Sequence, residues 1–304
     1  MRPNRLEIFC RNVSSKGMRI KSAFAVLSFL LLLSCHTGRV VNYQELSSSE
    51  DRQTARVFYP SAGGTIEAYV TRPSGDGPFP LVVILHGHSF IGRGAEQVLS
   101  TAQTFAREIC FASLAISLPG YGASEGSQGS IEDSTRHAVK DGLAFTRQLE
   151  WVDKSQTFFY GVSRGAIVAA AMLNDVQGVS GAVLYSGAYD LGRLYRDTPS
   201  FWVRNILNPN GDANPKLFNL LAEGAKWTVP TLILHGEQDQ VIPVNQARLL
   251  RDRLKSAGVY HHLVVYPDRG HFLPRRNVRE RSMNFLKEFA TPACPGSQDL
   301  YSYN

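Results

Sequence analysis

Ser163 stands between two glycines in Gly161-Val162-Ser163-Arg164-Gly165. The apolar run Thr157-Phe158-Phe159-Tyr160 precedes it and the small-residue stretch Ala166-Ile167-Val168-Ala169-Ala170-Ala171 follows. A G-x-S-x-G pattern in that setting makes a sharp strand-to-helix turn that lifts the serine hydroxyl clear of the backbone. The turn forces backbones together, so a Cβ at Gly161 or Gly165 would clash. The hydroxyl then projects at a helix N-terminus, where N–H groups stabilise developing negative charge. A serine is a weak nucleophile and needs a base, and the base needs an orienting acid. Two later segments supply them. Thr231-Leu232-Ile233-Leu234 runs into His235-Gly236-Glu237-Gln238-Asp239, and Leu263-Val264-Val265-Tyr266 runs into Pro267-Asp268-Arg269-Gly270-His271. Ser163, Asp239 and His271, in that order, each follow a short apolar run. The chemistry implied is acyl transfer, with Ser163 as nucleophile, His271 as base and Asp239 as the acid that fixes the imidazole.

Other assignments compete with these. Asp190 also follows an apolar run and is the alternative acid, while Asp239 has a bland reading as a helix cap; Asp239 is preferred. Glu237 and Asp268 read as solvated carboxylates. His86 and His88, two positions apart in Leu85-His86-Gly87-His88, have the look of a metal pair, but His86 reads better as a loop-packing residue. His261 and His262 point to opposite faces of a strand, and no cysteine or histidine spacing suggests a metal. For the oxyanion, the backbone N–H groups of His88 and Arg164 are expected to serve, with Gly87 letting the chain turn so that the next amide points inward.

The elements that must position these residues alternate. Besides the runs already given, Leu81 to Leu85, Ala112 to Ser117 and Gly181 to Tyr185 are short and continuously apolar, which marks strands covered on both faces. Helical stretches fall between them, at about 95–107, 131–149, 164–174, 246–256 and 278–289. This alternation predicts an α/β fold with a mostly parallel, doubly covered sheet. Arg56 to Tyr59 and Thr65 to Thr71, joined by Ser61-Ala62-Gly63-Gly64, predict an N-terminal antiparallel hairpin. The aromatic-rich stretch 191–227 is long for a simple connection and predicts a small helical cap.

The chain has 304 residues and a net charge of +6. Residues 1–34 hold six basic residues and one acidic, a net of +5, and residues 35–304 hold 26 basic and 25 acidic, a net of +1. Basic character is therefore N-terminal and does not signal a nucleic-acid partner. The charged start, the apolar run Ala23 to Leu33 and the ending Leu32-Leu33-Ser34-Cys35 have the layout of a secretory signal, too short for a stable span. Translation starting at Met18 would give a more compact version. The domains expected are a signal peptide at 1–34, a polar tether at 35–54, one domain at 55–290 and a tail at 291–304. Cys110 and Cys294 remain beyond the leader, either paired or as thiols.

Leu32-Leu33-Ser34-Cys35 resembles the lipobox of bacterial lipoproteins, which implies a lipidated Cys35, export, and anchoring on the periplasmic side of the cell envelope, with a soluble secreted form as the alternative. Gly63-Gly64-Thr65-Ile66-Glu67-Ala68-Tyr69, Pro78-Phe79-Pro80-Leu81 through Gly87, the Ser163 turn, Leu234 through Asp239 and Gly270-His271 resemble the α/β-hydrolase superfamily. The resemblance is to the branch of dienelactone-hydrolase-like proteins and prolyl-oligopeptidase-like catalytic domains. It implies an α/β-hydrolase fold, a Ser-His-Asp triad, no cofactor, and a small-molecule ester or acyl substrate. Dienelactone hydrolases proper carry Cys where Ser163 stands, and oligopeptidases usually carry a propeller upstream. The leading expectation is a carboxylic-ester hydrolase. A serine peptidase or aminoacyl hydrolase on the same triad, and an inactive hydrolase-fold binding lipoprotein, are the alternatives.

Overall fold

A computed structural model describes residues 42–49, 51–128, 133–213, 217–221 and 227–291. Residues 1–34, where a signal peptide is expected, Cys35 and nearly all of the expected tail 291–304 lie outside them. Nine strands form one sheet: β1 (Asn42–Ser49), β2 (Arg52–Ser61), β3 (Gly64–Pro73), β4 (Phe79–Leu85), β5 (Ala112–Ile116), β6 (Val152–Val162), β7 (Val179–Tyr185), β8 (Thr231–Gly236) and β9 (His261–Tyr266). Their order is β1-β2-β3-β5-β4-β6-β7-β8-β9. From β5 to β9 all neighbours are parallel, while β1, β2 and β3 pair antiparallel, β3 against β5. The sheet and its antiparallel start are those expected.

Strand geometry explains the continuous apolar runs. Successive side chains point to opposite faces, so a strand covered on both sides cannot alternate with polar residues. In β4, Leu81, Val83 and Leu85 enter one core and Val82 and Ile84 the other. The first core is closed by α2 (Asp133–Thr146), α3 (Arg164–Asp175) and α6 (Asn245–Ser256), the second by α1 (Leu99–Ile109) and α7 (Arg275–Glu288). Between β7 and β8 the chain forms two short helices, α4 (Leu191–Asp197) and α5 (Phe201–Leu207), where the cap was expected.

The tether expectation is corrected: residues 42–49 are β1, and the domain begins at least thirteen residues earlier than 55. β1 is an edge strand whose Gln44, Leu46, Ser47 and Ser48 are exposed, so it is held by backbone pairing to β2 and carries no apolar period. Cys110 is disulfide-bonded, with its partner outside the described residues.

Strand order reverses at β4, which lies between β5 and β6. Loops leaving the carboxyl ends of strands flanking such a point diverge and open a crevice. The loop after β4 carries His86 to His88 and the turn after β6 carries Ser163.

Candidate active site

Ser163 has a φ of 53° and a ψ of −114°, a conformation costly for any L-residue. Its surroundings enforce it. The Ser163 N–H donates to Tyr185 O at 2.7 Å, which extends the β6–β7 pairing through the turn. A Cβ at Gly165 would overlap Leu85 O, and one at Gly161 would overlap Gly165 O. Both glycines are thus required for α3 to start against the ends of β4 and β6.

His271 reaches this turn from the loop after β9. Its Nε2 accepts from the Ser163 hydroxyl at 2.9 Å, and its Nδ1–H donates to Asp239 Oδ2 at 2.7 Å. Three contacts hold the His271 loop. Ser186 Oγ donates to His271 O at 3.2 Å, the Leu273 N–H donates to Tyr185 Oη at 2.7 Å, and the Gln238 N–H donates to Arg269 O at 2.9 Å. The last depends on Gly236, because a Cβ there would overlap the Gly270 and Arg269 carbonyls.

Asp239 is buried, and its carboxylate is nevertheless held well below the usual range. Burial opposes this, and is outweighed by donors from His235 and His271, the charge attraction of His271 and the Ile242 N–H. Its Oδ1 accepts from the Val241 and Ile242 N–H groups at 2.8 and 2.9 Å, and His235 Nε2 lies 3.3 Å from Oδ2. The competing carboxylates are elsewhere. Asp190 caps α4 by accepting from the Arg193 N–H at 2.8 Å, Glu237 pairs with Arg248, and Asp268 is exposed.

His86 packs the oxyanion loop. Its Nε2 accepts from the Leu118 N–H at 3.0 Å, so its proton is on Nδ1, which donates to Gly87 O at 2.7 Å. Gln97 Nε2 donates to the same carbonyl at 3.3 Å. A trans peptide is planar, so anchoring the Gly87 carbonyl on this side turns the His88 N–H to the other. Gly87 and His88 line the same cavity as Ser163 and Arg164. A Cβ at Gly87 would lie 3.5 Å from Ser163 Cβ, in ordinary van der Waals contact with it. Among the described residues no group of three metal-type ligands gathers.

Burial lowers the His86 imidazole from 6.5 to about 4; the Gly87 bond opposes this and the Arg164 charge adds to it. The unfolded chain therefore binds the extra proton between those pH values, and stability present above 6.5 falls as the pH drops towards 4, by on the order of 3 kcal/mol from this group. Urea midpoints across pH 4 to 7 measure it. In His86→Gln the slope is expected to flatten, and an unchanged slope would move the proton uptake to another group.

His235, Tyr185, Ser186, Gln97 and Gly236 are the residues that sequence reasoning did not assign. His235-Gly236 directly after an apolar strand was the one local signal; the others act across the fold.

Ser163, His271 and Asp239 form one hydrogen-bonded relay on a cavity of about 1820 Å³. An imidazole so placed can take the hydroxyl proton as the oxygen attacks an electrophile.

An uncharacterized peptidase of Bacillus subtilis, YtmA, is 24% identical over 254 residues, which is 77% of this chain and 93% of that protein. Dipeptidyl-peptidase 5 of Porphyromonas endodontalis is 28% identical over 101 residues, 30% of this chain and only 14% of that much longer protein. The crystal structure of acetyl xylan esterase 1 from Thermoanaerobacterium superposes with a TM-score of 0.67 at 16% identity, covering 87% of this chain and 93% of the esterase. That likeness shows the α/β-hydrolase fold. The model of the prolyl oligopeptidase family matches residues 131–294, a span that runs from α2 past α7 and contains Ser163, Asp239 and His271. The chain is a hydrolase that belongs to the prolyl oligopeptidase family.

Proposed function

We propose that the protein is a serine hydrolase that cleaves carboxylic esters of small molecules. The observation that carries this is the relay from Ser163 through His271 to Asp239 at 2.9 and 2.7 Å. His271 takes the Ser163 proton as Oγ attacks the ester carbonyl, and Asp239 fixes the tautomer and stabilises the imidazolium. The N–H groups of His88 and Arg164 hold the tetrahedral oxyanion, each worth ~3 kcal/mol in such sites. His271 then protonates the leaving alcohol, and water, deprotonated by His271, releases the acyl group. No cofactor enters this scheme.

Family membership favours a second reading, a peptidase or aminoacyl hydrolase on the same residues. Gripping a substrate's amino terminus calls for carboxylates in the cavity. Among the described lining residues Glu96 is the only one, and it faces Arg93 at 3.6 Å. A chain-length series of p-nitrophenyl esters beside aminoacyl p-nitroanilides decides between them. Esters are expected to turn over with kcat/KM at least about 100-fold above the anilides, and the reverse order would establish the peptidase reading. Turnover of neither class, with the fold intact, would favour a binding protein.

The Leu32-Leu33-Ser34-Cys35 ending supports export and a lipid anchor at Cys35 on the periplasmic side of the envelope. Metabolic labelling with a tagged fatty acid should mark the protein and not Cys35→Ala; equal labelling of both would remove the anchor from Cys35.

A further inference from the structure

Large apolar side chains that the fold leaves in water are concentrated at the mouth of the Ser163 cavity. Of the eight such residues among those described, Phe90, Ile91, Phe201, Trp202, Ile206 and Phe272 lie on three segments around it: the loop after β4, helix α5, and the loop carrying His271. Phe90, Trp202, Ile206 and Phe272 line the cavity directly. Exposures of 73% for Phe90, 61% for Trp202 and 84% for Phe272 put these rings on the rim and not within the pocket. A small ligand on Ser163 would leave most of their area in water, whereas an extended apolar surface would cover them together. Helix α5 buries none of its residues, and the Phe90 and Trp202 rings meet edge to face at 5.8 Å. The rim thus draws apolar side chains from separate segments, with the loop after β4 and helix α5 joined by a direct ring contact.

Charge identifies the occupant. Among the described lining residues the charged ones are Arg93, Arg164, Arg275 and Arg279 against Glu96. Aromatic and aliphatic side chains among arginines match the boundary of a bilayer with anionic headgroups. The strand register adds an independent argument. Asn42, where β1 begins, pairs with Phe58, and Phe58 with Glu67. The next residue, Ala68, pairs with Ile116 at the carboxyl end of β5. The N-terminal segment therefore enters the sheet at the edge from which the Ser163, Asp239 and His271 loops leave. Cys35 precedes Asn42 by seven positions, a reach of at most about 25 Å.

We propose that the rim of Phe90, Ile91, Phe201, Trp202, Ile206 and Phe272 docks on an anionic lipid surface, so that the cavity opens onto the bilayer. This holds whichever bond Ser163 attacks, because docking is read without turnover.

Trp202 reports on it directly. The chain has three tryptophans, and Trp151 and Trp227 are buried at 5% and 2% exposure. With the full chain, vesicles of phosphatidylglycerol mixed with phosphatidylcholine are expected to shift the emission to the blue and bring it within reach of brominated lipid tails. Salt should weaken the effect, and Trp202→Phe should remove it. Phe90→Ser combined with Ile91→Ser should weaken partitioning by about tenfold or more. Sedimentation with vesicles while Trp202 stays open to aqueous iodide would overturn the proposal, since the N-terminal segment alone would then hold the chain. An equal shift with phosphatidylcholine alone would overturn the anionic surface. A shift that grows with protein concentration and needs no vesicles would put a second copy on the rim and also overturn it.

Discussion

Ser163→Ala is expected to lower kcat by about 10⁶-fold and to abolish labelling by a fluorophosphonate. The hydroxyl meets His271 Nε2 at 2.9 Å, and among the described residues no other hydroxyl is hydrogen-bonded to that nitrogen. Removing Oγ leaves the imidazole with no proton to take, so the covalent route closes. Some catalysis should survive, because amides at the α3 N-terminus and the His88 loop can still polarise a bound carbonyl for attack by water. Such remnants amount to roughly 10³ over the uncatalysed rate in comparable enzymes. The fold should stand: the turn is enforced by Gly161, Gly165 and the Ser163 N–H bond to Tyr185 O, none of which needs the hydroxyl. Near-UV circular dichroism and the melting temperature check this. Undiminished labelling of the alanine variant would put the nucleophile on another residue.

The parts of this site legible in the sequence are those with a local signature. Ser163 announces itself because two glycines within five residues answer one steric demand, and both overlap carbonyls when given a Cβ. β4, β5, β7 and β8 are readable because strands buried on both faces read as mostly apolar runs rather than alternating ones. β1 was not: an edge strand that packs little has a Ser-rich sequence indistinguishable from a tether. Glu67 shows a second kind of concealment. Within Ile66-Glu67-Ala68 it looks like the solvated side of a hairpin, yet it is buried, pairs with Arg56, and accepts from Ser117 Oγ at 2.6 Å and the Ala123 N–H at 3.0 Å. Those partners lie 50 and 56 positions away. Hydrogen bonds outweigh burial and hold its carboxyl below the ordinary value, so it is an ionised pin between the hairpin and the loop after β5. Ser186 holds His271 O from 85 positions upstream, and Tyr185 holds the Leu273 N–H from 88, by the same kind of long-range bond. No window of sequence contains such a pair.

Asp239→Asn is expected to cost about 10⁴-fold in kcat with little change in KM or melting temperature. The carboxylate now accepts on both oxygens, Oδ1 from the Val241 and Ile242 N–H groups and Oδ2 from His271 Nδ1, with His235 Nε2 at 3.3 Å. An asparagine can satisfy only one side. If its carbonyl keeps the two backbone donors, its NH₂ faces His271 and turns Nδ1 into an acceptor. The imidazole proton then moves to Nε2 and meets the Ser163 hydroxyl, which is left without a base. If the amide flips, the NH₂ is driven against the Val241 and Ile242 N–H groups in a buried site, and an unsatisfied contact of that kind costs 1–3 kcal/mol by general experience. The first arrangement costs less, so the loss falls on catalysis and not on the fold. Asp190→Asn gives the contrast: asparagine caps a helix as well as aspartate, the residue is occupied with the Arg193 N–H, and turnover should stay within about twofold. Steady-state rates on one ester for both variants decide the matter. A near-normal rate in Asp239→Asn with a collapse in Asp190→Asn would hand the orienting role to Asp190 and require His271 to leave the geometry described here.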